Sequence, residues 1–131
     1  MILLFVIRIA VTGRPGIGKS TLCKKVIAGV NKKVGGMISG DIRVGNARIG
    51  FEIADIATGK KGVLAHINQK FGRSVGKYRV NLDDLNSTGV EAIKNAMNSD
   101  LIVIDEIAPM ELYSNEFTSA VEEALKSDRS M

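Results

Sequence analysis

The chain has 131 residues, a length that suits one domain, and 45% of them are hydrophobic, which is enough to bury a core. Its formal net charge of +4 favours anionic ligands in general, but acidic residues are interspersed with basic ones, so the charge does not favour nucleic acid as a partner. The only cysteine, Cys23, excludes an internal disulfide and is interpreted as a small buried residue.

The N-terminal run, MILLFVIRIAV, is apolar but shorter than the roughly 20 residues that cross a bilayer. It also lacks the basic start and the cleavage site of a signal peptide. We therefore expect a cytoplasmic protein without a membrane segment. Residues 2–12 are predicted to form a buried strand, because continuous apolar runs are typical of parallel sheets.

A helix is predicted from Ser20 to about Gly29, with Leu22, Val26 and Val30 recurring at helical spacing. Beyond it, residues 36–58 contain two β-type runs on either side of Gly45-Asn46, a pair that predicts a two-residue hairpin turn. We interpret this hairpin as an antiparallel insertion at an edge of the sheet.

The second half of the chain alternates between strand and helix patterns. Residues 68–77 are predicted to be a loop, YRVNL a short strand, and Thr88 to Glu91 a capping box before a helix. The run DLIVIDE, residues 100–106, is predicted to be a buried strand that ends in two acids. Ser114 is expected to cap a last helix, whose buried face would carry the following residues: Phe117, Val121 and Leu125. This order predicts a single α/β domain, residues 1–131, with a partly parallel sheet.

The segment GRPGIGKS matches the phosphate-binding pattern G-x-x-x-x-G-K-[ST] at every fixed position. Glycines let successive backbone N–H groups point inward, and the following helix adds its positive end. Lys19 is predicted to reach the β- and γ-phosphates, and the Ser20 hydroxyl to ligate Mg²⁺. The predicted nucleotide-binding residues are Gly13, Arg14, Pro15, Gly16, Ile17, Gly18, Lys19, Ser20 and Thr21.

Two adjacent acids, Asp105 and Glu106, follow the second buried strand. The carboxyl end of such a strand lies at the edge where the phosphate-binding loop is also expected. Asp105 is predicted to hold Mg²⁺, and Glu106 to orient or deprotonate an attacking water. The predicted catalytic residues are Lys19 and Glu106. An acid beside the metal site favours hydrolysis of the nucleotide over nucleotide binding alone.

Other candidates are left open. Glu111 could line the site or cap the next helix, and Arg14 could contact the γ-phosphate or point to solvent. No local pattern selects an arginine finger among Arg43, Arg48, Arg73 and Arg79. Charged and aromatic residues alternate between Lys70 and Arg79, which could stack on a base but is more often a solvated loop. His66 is interpreted as structural.

Four segments together resemble the small nucleoside-triphosphatase family of archaea and thermophilic bacteria, which has a cancer-related human relative. They are RIAVTGRPGIGKSTL, GGMISGDIR with RIGFEIADIATGKKGVLAH, VGKYRVNLDDL and LIVIDEIAPMEL. The resemblance covers residues 8 to 125. It implies Mg²⁺-dependent hydrolysis of ATP, GTP, CTP and UTP to the diphosphate, with Glu106 matching the catalytic acid.

The resemblance also implies a P-loop fold of the RecA-like division, a three-layer sandwich. In that topology a strand after the last helix lies between the phosphate-loop strand and the Asp105 strand. We therefore expect the domain to be incomplete at its C-terminus. Two other functions stay open: a nucleotide or small-molecule kinase, and a nucleotide-binding module without turnover. The sequence does not give the oligomeric state.

Overall fold

The computed structural model describes residues 6–131, and residues 1–5 lie outside the described part. The fold is α/β, with a mixed six-stranded sheet. The strands are β1 (Val34–Val44), β2 (Ala47–Asp55), β3 (Lys61–His66), β4 (Ser74–Val75), β5 (Tyr78–Val80) and β6 (Leu101–Asp105). The helices are α1 (Lys19–Gly29), α2 (Leu82–Asp84), α3 (Val90–Ala96), α4 (Pro109–Leu112) and α5 (Asn115–Lys126), and a π-helical segment, Leu85–Gly89, joins α2 to α3.

The strand order is β4-β5-β3-β2-β1-β6, in which β1 and β6 are parallel and the other neighbours are antiparallel. The turn at Gly45-Asn46 joins β1 to β2, which pair from Met37 opposite Asp55 to Val44 opposite Ala47. The expectation that this hairpin lies at a sheet edge is wrong. β1 has β6 as a second neighbour and β2 has β3, so the hairpin lies in the middle of the sheet.

The approach of β1 to β6 depends on Gly36. Its φ of +117° is a conformation that side chains other than glycine rarely adopt, and a Cβ there would lie 1.9 Å from the Val103 carbonyl oxygen. The two strands pair in parallel from Val34 opposite Leu101 to Ile38 opposite Asp105. This pairing fixes the position of the acidic strand end relative to the hairpin.

One face of the sheet carries the core. Met37 and Ile53 from the hairpin are fully buried and belong to one apolar cluster with residues of α3 and α5. The buried side chains that those two helices contribute are Val90, Ala92, Ile93, Ala96, Phe117, Ala120, Val121 and Ala124. Their spacing places them along one stripe of each helix, as burial against a sheet requires.

The opposite face of the sheet, within the described residues, carries α1. Successive residues of a strand point to opposite faces, so Ile38 faces away from the core that contains Met37. Ile38 lines an open cleft of about 310 Å³ together with Ile27 and Ala28 of α1. Helices therefore lie on both faces, but α1 has no buried residue. Within residues 6–131, every helix is too short or too polar to cross a bilayer.

The prediction of a strand over residues 2–12 is wrong for its described part, residues 6–12, which form no strand. Their backbone pairs only with the end of the chain. The Ile9 N–H donates to the Met131 carbonyl at 2.9 Å, and the Met131 N–H donates to the Ile7 carbonyl at 2.9 Å. A strand needs a neighbour along its length, and a pattern of apolar residues does not supply one.

The helix starts give one wrong prediction and one that is confirmed. The capping box at Thr88 is absent, because the helical segment begins earlier, where the Asn81 side chain accepts from the Asp84 N–H at 3.1 Å. Ser114 caps α5 as predicted, accepting from the Phe117 N–H at 2.9 Å. Leu125 was expected on the buried face of α5 but is 50% exposed.

Candidate functional site

The glycine-rich loop at residues 13–18 curls immediately before α1. Gly16 and Gly18 have φ values of +81° and +110°, which allow the sharp bend that directs the chain into the helix. The Lys19 ammonium donates to the Gly13 carbonyl, so its side chain folds back across the loop. Gly18 is the N-cap of α1 and accepts from the Leu22 N–H at 3.0 Å. The other backbone N–H groups at this helix start are free to face an anion.

The predicted nucleotide-binding residues lie together on this loop and on the first turn of α1. All of them are exposed except Lys19, which is partly buried. An exposed loop with inward-curled backbone can be reached by a large anionic ligand. A helix N-terminus stabilises such an anion by roughly 0.3–1 kcal/mol when exposed.

Asp105 and Glu106 occupy the carboxyl end of β6. Asp105 is 6% exposed, and its carbonyl accepts from the Ser39 hydroxyl at 3.0 Å, which ties the strand end to β1. Glu106 comes directly after the strand and is exposed. The pair therefore combines a buried acid, whose backbone Ser39 holds, with an exposed acid that can meet water.

The acidic pair and the loop lie at the same edge of the sheet. Residues 7–9 run parallel to β6, because both pair in parallel with residues 130–131. Parallel segments carry their carboxyl ends at one edge, so Gly13 and Glu106 both follow that edge. Electrostatics supports the same placement: burial raises the pKa of the Cys23 thiol, and the Asp105 carboxylate raises it further. Cys23 is half-buried, not fully buried as expected.

The donor set fits Mg²⁺. Cys23 lies one helical turn after Ser20, and residues three apart share a helix face. Asp105 lies opposite Ile38, which lines the cleft beside α1, so the Asp105 side chain faces the helix that carries the Ser20 hydroxyl. Oxygen ligands of this kind, completed by phosphate oxygens and water, are what Mg²⁺ prefers. Within the described residues no group of three or more His, Cys, Asp or Glu side chains could hold a metal, which excludes an all-protein cage there but not this arrangement.

Glu111 is the site residue whose environment the sequence did not reveal. It is 2% exposed, and its Oε2 atom accepts from the Ala108 N–H at 3.2 Å, so it caps α4. Burial raises the pKa of this carboxyl to about 7, with smaller contributions from Glu106 and Asp105. Of the two alternatives, capping is observed, and lining the site stays a prediction.

The four candidate arginines are held elsewhere. Arg43 forms an ion pair with Asp41 at 2.8 Å, and Arg79 donates to the Gly72 carbonyl at 2.9 Å. Arg48 lies over the rings of Phe51 and Tyr78, at 4.7 and 5.8 Å from their centroids. Arg73 lies 4.6 Å from the ring of Tyr113. Each has a local partner, so the structure brings none of them to the loop.

The basic and aromatic segment between Lys70 and Arg79 does not form one stacking surface. Phe71 is 81% exposed, whereas Tyr78 is 7% exposed and packs edge-on against Phe51 at 5.0 Å. His66 accepts from the Asn68 N–H through Nδ1 at 3.0 Å, which is a structural role.

Comparison with known proteins identifies the family. Residues 8–131 match the family model described as NTPase. The chain is 51% identical over 127 residues to "Nucleoside-triphosphatase THEP1" of Methanosarcina acetivorans, covering 94% of this chain and 72% of that protein. It is 46% identical over 125 residues to the protein of that name from Methanothermobacter thermautotrophicus, covering 92% and 71%.

A solved structure agrees with the sequence comparison. The crystal structure of THEP1 from the hyperthermophile Aquifex aeolicus superposes with a TM-score of 0.76 at 29% identity, covering 92% of this chain and 69% of that one. The resemblance inferred from the motifs is thus confirmed by sequence and by fold. The chain belongs to the NTPase family, together with the nucleoside-triphosphatases of archaea and thermophilic bacteria.

Proposed function

We propose that the chain hydrolyses nucleoside triphosphates, ATP, GTP, CTP and UTP, to the diphosphate and phosphate with the help of Mg²⁺. The observation that carries this proposal is the common edge of the sheet at which the glycine-rich loop and the Asp105-Glu106 pair both lie. The loop can bind phosphates, and the acidic pair can bind a metal and orient a water molecule. The curated relatives named nucleoside-triphosphatase support the same reaction.

The roles follow from position and exposure. Backbone N–H groups of residues 13–18 cradle the phosphate chain, and Lys19 exchanges its contact with the Gly13 carbonyl for one with the β- and γ-phosphates. Ser20 and Asp105 are the residues that would hold Mg²⁺, which would neutralise charge on the phosphates. Glu106 orients the attacking water and accepts its proton, because it is the exposed acid of the pair.

The direct test is release of inorganic phosphate from each of the four triphosphates with Mg²⁺. We expect Glu106→Gln to slow release by about 100-fold or more, the usual contribution of a general base. Glu116→Gln is the matched control, because Glu116 is an exposed glutamate in the first turn of α5, outside the proposed site. Full activity of Glu106→Gln would contradict the assigned role.

A second measurement separates hydrolysis from binding alone. Calorimetry with Mg²⁺ and a non-hydrolysable ATP analogue is expected to show binding by the unmodified chain and by Glu106→Gln. Lys19→Ala is expected to weaken that binding, whereas Lys25→Ala, on an exposed position of the same helix, leaves it unchanged. Tight binding without any phosphate release by the unmodified chain would favour a binding module. Formation of the diphosphate and a phosphorylated acceptor, without inorganic phosphate, when an acceptor is added would favour a kinase.

A further inference from the structure

Glu106, the proposed general base, lies on a short connection without regular secondary structure. β6 ends at Asp105 and α4 begins at Pro109, so only residues 106–108 join the two elements. The Glu106 side chain is exposed, so its position depends mainly on the backbone that carries it. A general base acts only within hydrogen-bond reach of the proton that it accepts. The contacts that fix this connection therefore bear on the proposed reaction.

Ser39 fixes the connection at its start. The parallel pairing of β1 with β6 ends at Ile38 opposite Asp105. The next residue of β1, Ser39, donates from its hydroxyl to the Asp105 carbonyl at 3.0 Å. That carbonyl belongs to the peptide group that continues into Glu106. Because β1 has a neighbouring strand on each side, the Ser39 hydrogen bond ties the backbone before Glu106 to an interior strand of the sheet.

Glu111 fixes the connection at its end. Its Oε2 atom accepts from the Ala108 N–H at 3.2 Å, and its side chain is only 2% exposed, which leaves it little freedom to move. Met110, its neighbour on α4, packs against the core cluster, so the helix that carries Glu111 is itself held. The backbone after Glu106 is thus tied to the interior of the fold.

A buried carboxyl is an energetically costly helix cap. Burial raises the pKa of Glu111 to about 7, since the charged form loses its hydration. Elsewhere the same chain caps helices with neutral side chains at the residue before the helix: Ser114 at α5 and Asn81 at α2. Ala108, the residue before α4, has no side-chain acceptor, and the acceptor comes instead from the third helical position. A buried acceptor, unlike an exposed one, holds the connection against the interior of the protein.

We propose that Ser39 and Glu111 are positioning residues, which together hold the backbone on both sides of Glu106 so that its carboxylate meets the attacking water at a fixed place. Only Glu106 and Ile107 lie between the two hydrogen bonds, so neither end of the connection can move without breaking one of them. The inference rests on the proposed hydrolysis. Both residues act through Glu106, so their loss lowers kcat and leaves KM for the nucleotide unchanged.

Steady-state release of phosphate from ATP with Mg²⁺ tests the proposal on the full chain. We expect Ser39→Ala to lower kcat by about fivefold and Glu111→Ala by about tenfold to a hundredfold, with KM within about twofold of the unmodified chain. Glu111→Gln keeps an oxygen that accepts from the Ala108 N–H, so it is expected to keep kcat within about threefold of the unmodified chain.

Two variants control for effects that are only structural. Ser87→Ala removes a hydroxyl-to-carbonyl hydrogen bond of the same kind as that of Ser39, 2.8 Å long to the Asp83 carbonyl and outside the proposed site. Ser114→Ala removes the cap of α5 and so matches the loss of a cap in Glu111→Ala. We expect both controls to keep kcat, at a temperature below the thermal midpoints of all variants. An equal loss of kcat in each control and its partner would overturn the proposal.

A double-mutant cycle separates positioning from a general loss of structure. In the Glu106→Gln background, Ser39→Ala and Glu111→Ala are expected to lower kcat by less than about twofold further, because the group that they position is already gone. Losses that multiply with the loss in Glu106→Gln, or that appear in KM alone, would overturn the proposal.

Backbone ¹⁵N relaxation gives a measurement that does not need activity. We expect order parameters of about 0.85 at Glu106 and Ile107 in the unmodified chain, the value of rigid backbone, and a fall toward about 0.6 in Ser39→Ala and Glu111→Ala. Ser87→Ala should leave them unchanged. Low order parameters in the unmodified chain, or equal values in all variants, would overturn the proposal. Absence of phosphate release by the unmodified chain would instead contradict the proposed hydrolysis, while the order parameters still decide whether the connection is held.

Discussion

The helices α5 and α1 have nearly equal lengths, 12 and 11 residues, but opposite relations to the sheet. α5 buries four side chains, among them Phe117, which is fully inaccessible, whereas α1 buries none. The same sheet therefore has one packed face and one open face. The phosphate-binding loop belongs to the open face, because it leads directly into α1.

The packed face contributes most of the stability, and the open face carries the phosphate-binding loop. Segments with few buried apolar contacts open at low free-energy cost, and ligand-binding loops are drawn from such segments. The packed face holds β1 and β6 in place, and β6 carries Asp105. The Asp105 side chain, opposite Ile38, points to the open face, so both halves of the site lie there, and only the backbone that carries Asp105 is held by the packed face.

The largest expected effect breaks the packed face. Phe117→Ala should lower the free energy of unfolding by about 3–5 kcal/mol, because it leaves a cavity in the core. Leu22→Ala on α1 is the matched test of the open face and should cost less than about 1 kcal/mol, since Leu22 is 47% exposed. Urea unfolding followed by circular dichroism measures both. Equal losses would show that α1 is packed as firmly as α5.

The second effect is a pH dependence at Glu111. Its pKa rises from an ordinary value of 4.5 to about 7 in the folded chain, so the folded state binds the proton more tightly than the unfolded state. Stability therefore falls as pH rises from 4.5 to 7, by up to about 3 kcal/mol. Glu111→Gln keeps an oxygen that can accept from the Ala108 N–H but cannot ionise.

Comparison of unfolding curves of the two proteins across that pH range isolates this residue from the other carboxylates. We expect Glu111→Gln to lose the fall in stability between pH 4.5 and 7 while keeping its stability near pH 4.5. Parallel pH profiles of the two proteins would contradict the assigned burial of the charge.

The third effect concerns the two halves of the site together. Asp105→Asn should raise the Mg²⁺ concentration needed for nucleotide to increase the thermal midpoint by about tenfold, because one carboxylate ligand is lost. Asp128→Asn is the control, since the Asp128 side chain is 85% exposed and outside the proposed site. An unchanged Mg²⁺ requirement in Asp105→Asn would argue against the proposed ligand.

The smallest expected effect comes from Arg8, which connects the N-terminal segment to the end of α5. Arg8 donates to the Leu125 carbonyl at 3.0 Å and to the carbonyls of Ser127 and Arg129, and so joins the N-terminal segment to the end of α5. Arg8→Ala should cost about 1 kcal/mol and speed hydrogen exchange at the Ile9 and Met131 amides. Lys32→Ala, at an exposed position, should change neither. Unaltered exchange in Arg8→Ala would show that the backbone pairing holds without this side chain.

Features with a local signal were predicted well from the sequence. The bend around Gly45-Asn46, the start of α1 and the Ser114 cap each depend on a few neighbouring residues. The strand predicted at residues 2–12 failed in its described part, because a strand also needs a partner that local pattern does not specify. The central position of the hairpin was missed for a similar reason, since it depends on the glycine contact between β1 and β6.

The candidate site shows the same division. The phosphate-binding pattern and the acids at 105 and 106 are visible as motifs, and the structure places both at one edge of the sheet. The raised pKa of Glu111 could not be inferred, because it arises from burial among residues of other elements. The Arg8 contacts could not be predicted from the sequence either, since they join positions more than a hundred residues apart.

Gly36 has a consequence in genetic terms. The carbonyl of Val103 occupies the place where any side chain at this position would begin. A single missense change there would push β6 away from β1 and displace Asp105, although the altered codon lies nowhere near the loop or the acids. A survey of inactivating mutations should therefore include substitutions of this glycine, although it is not one of the proposed catalytic or nucleotide-binding residues. Its effect would be geometric, transmitted across one strand pair.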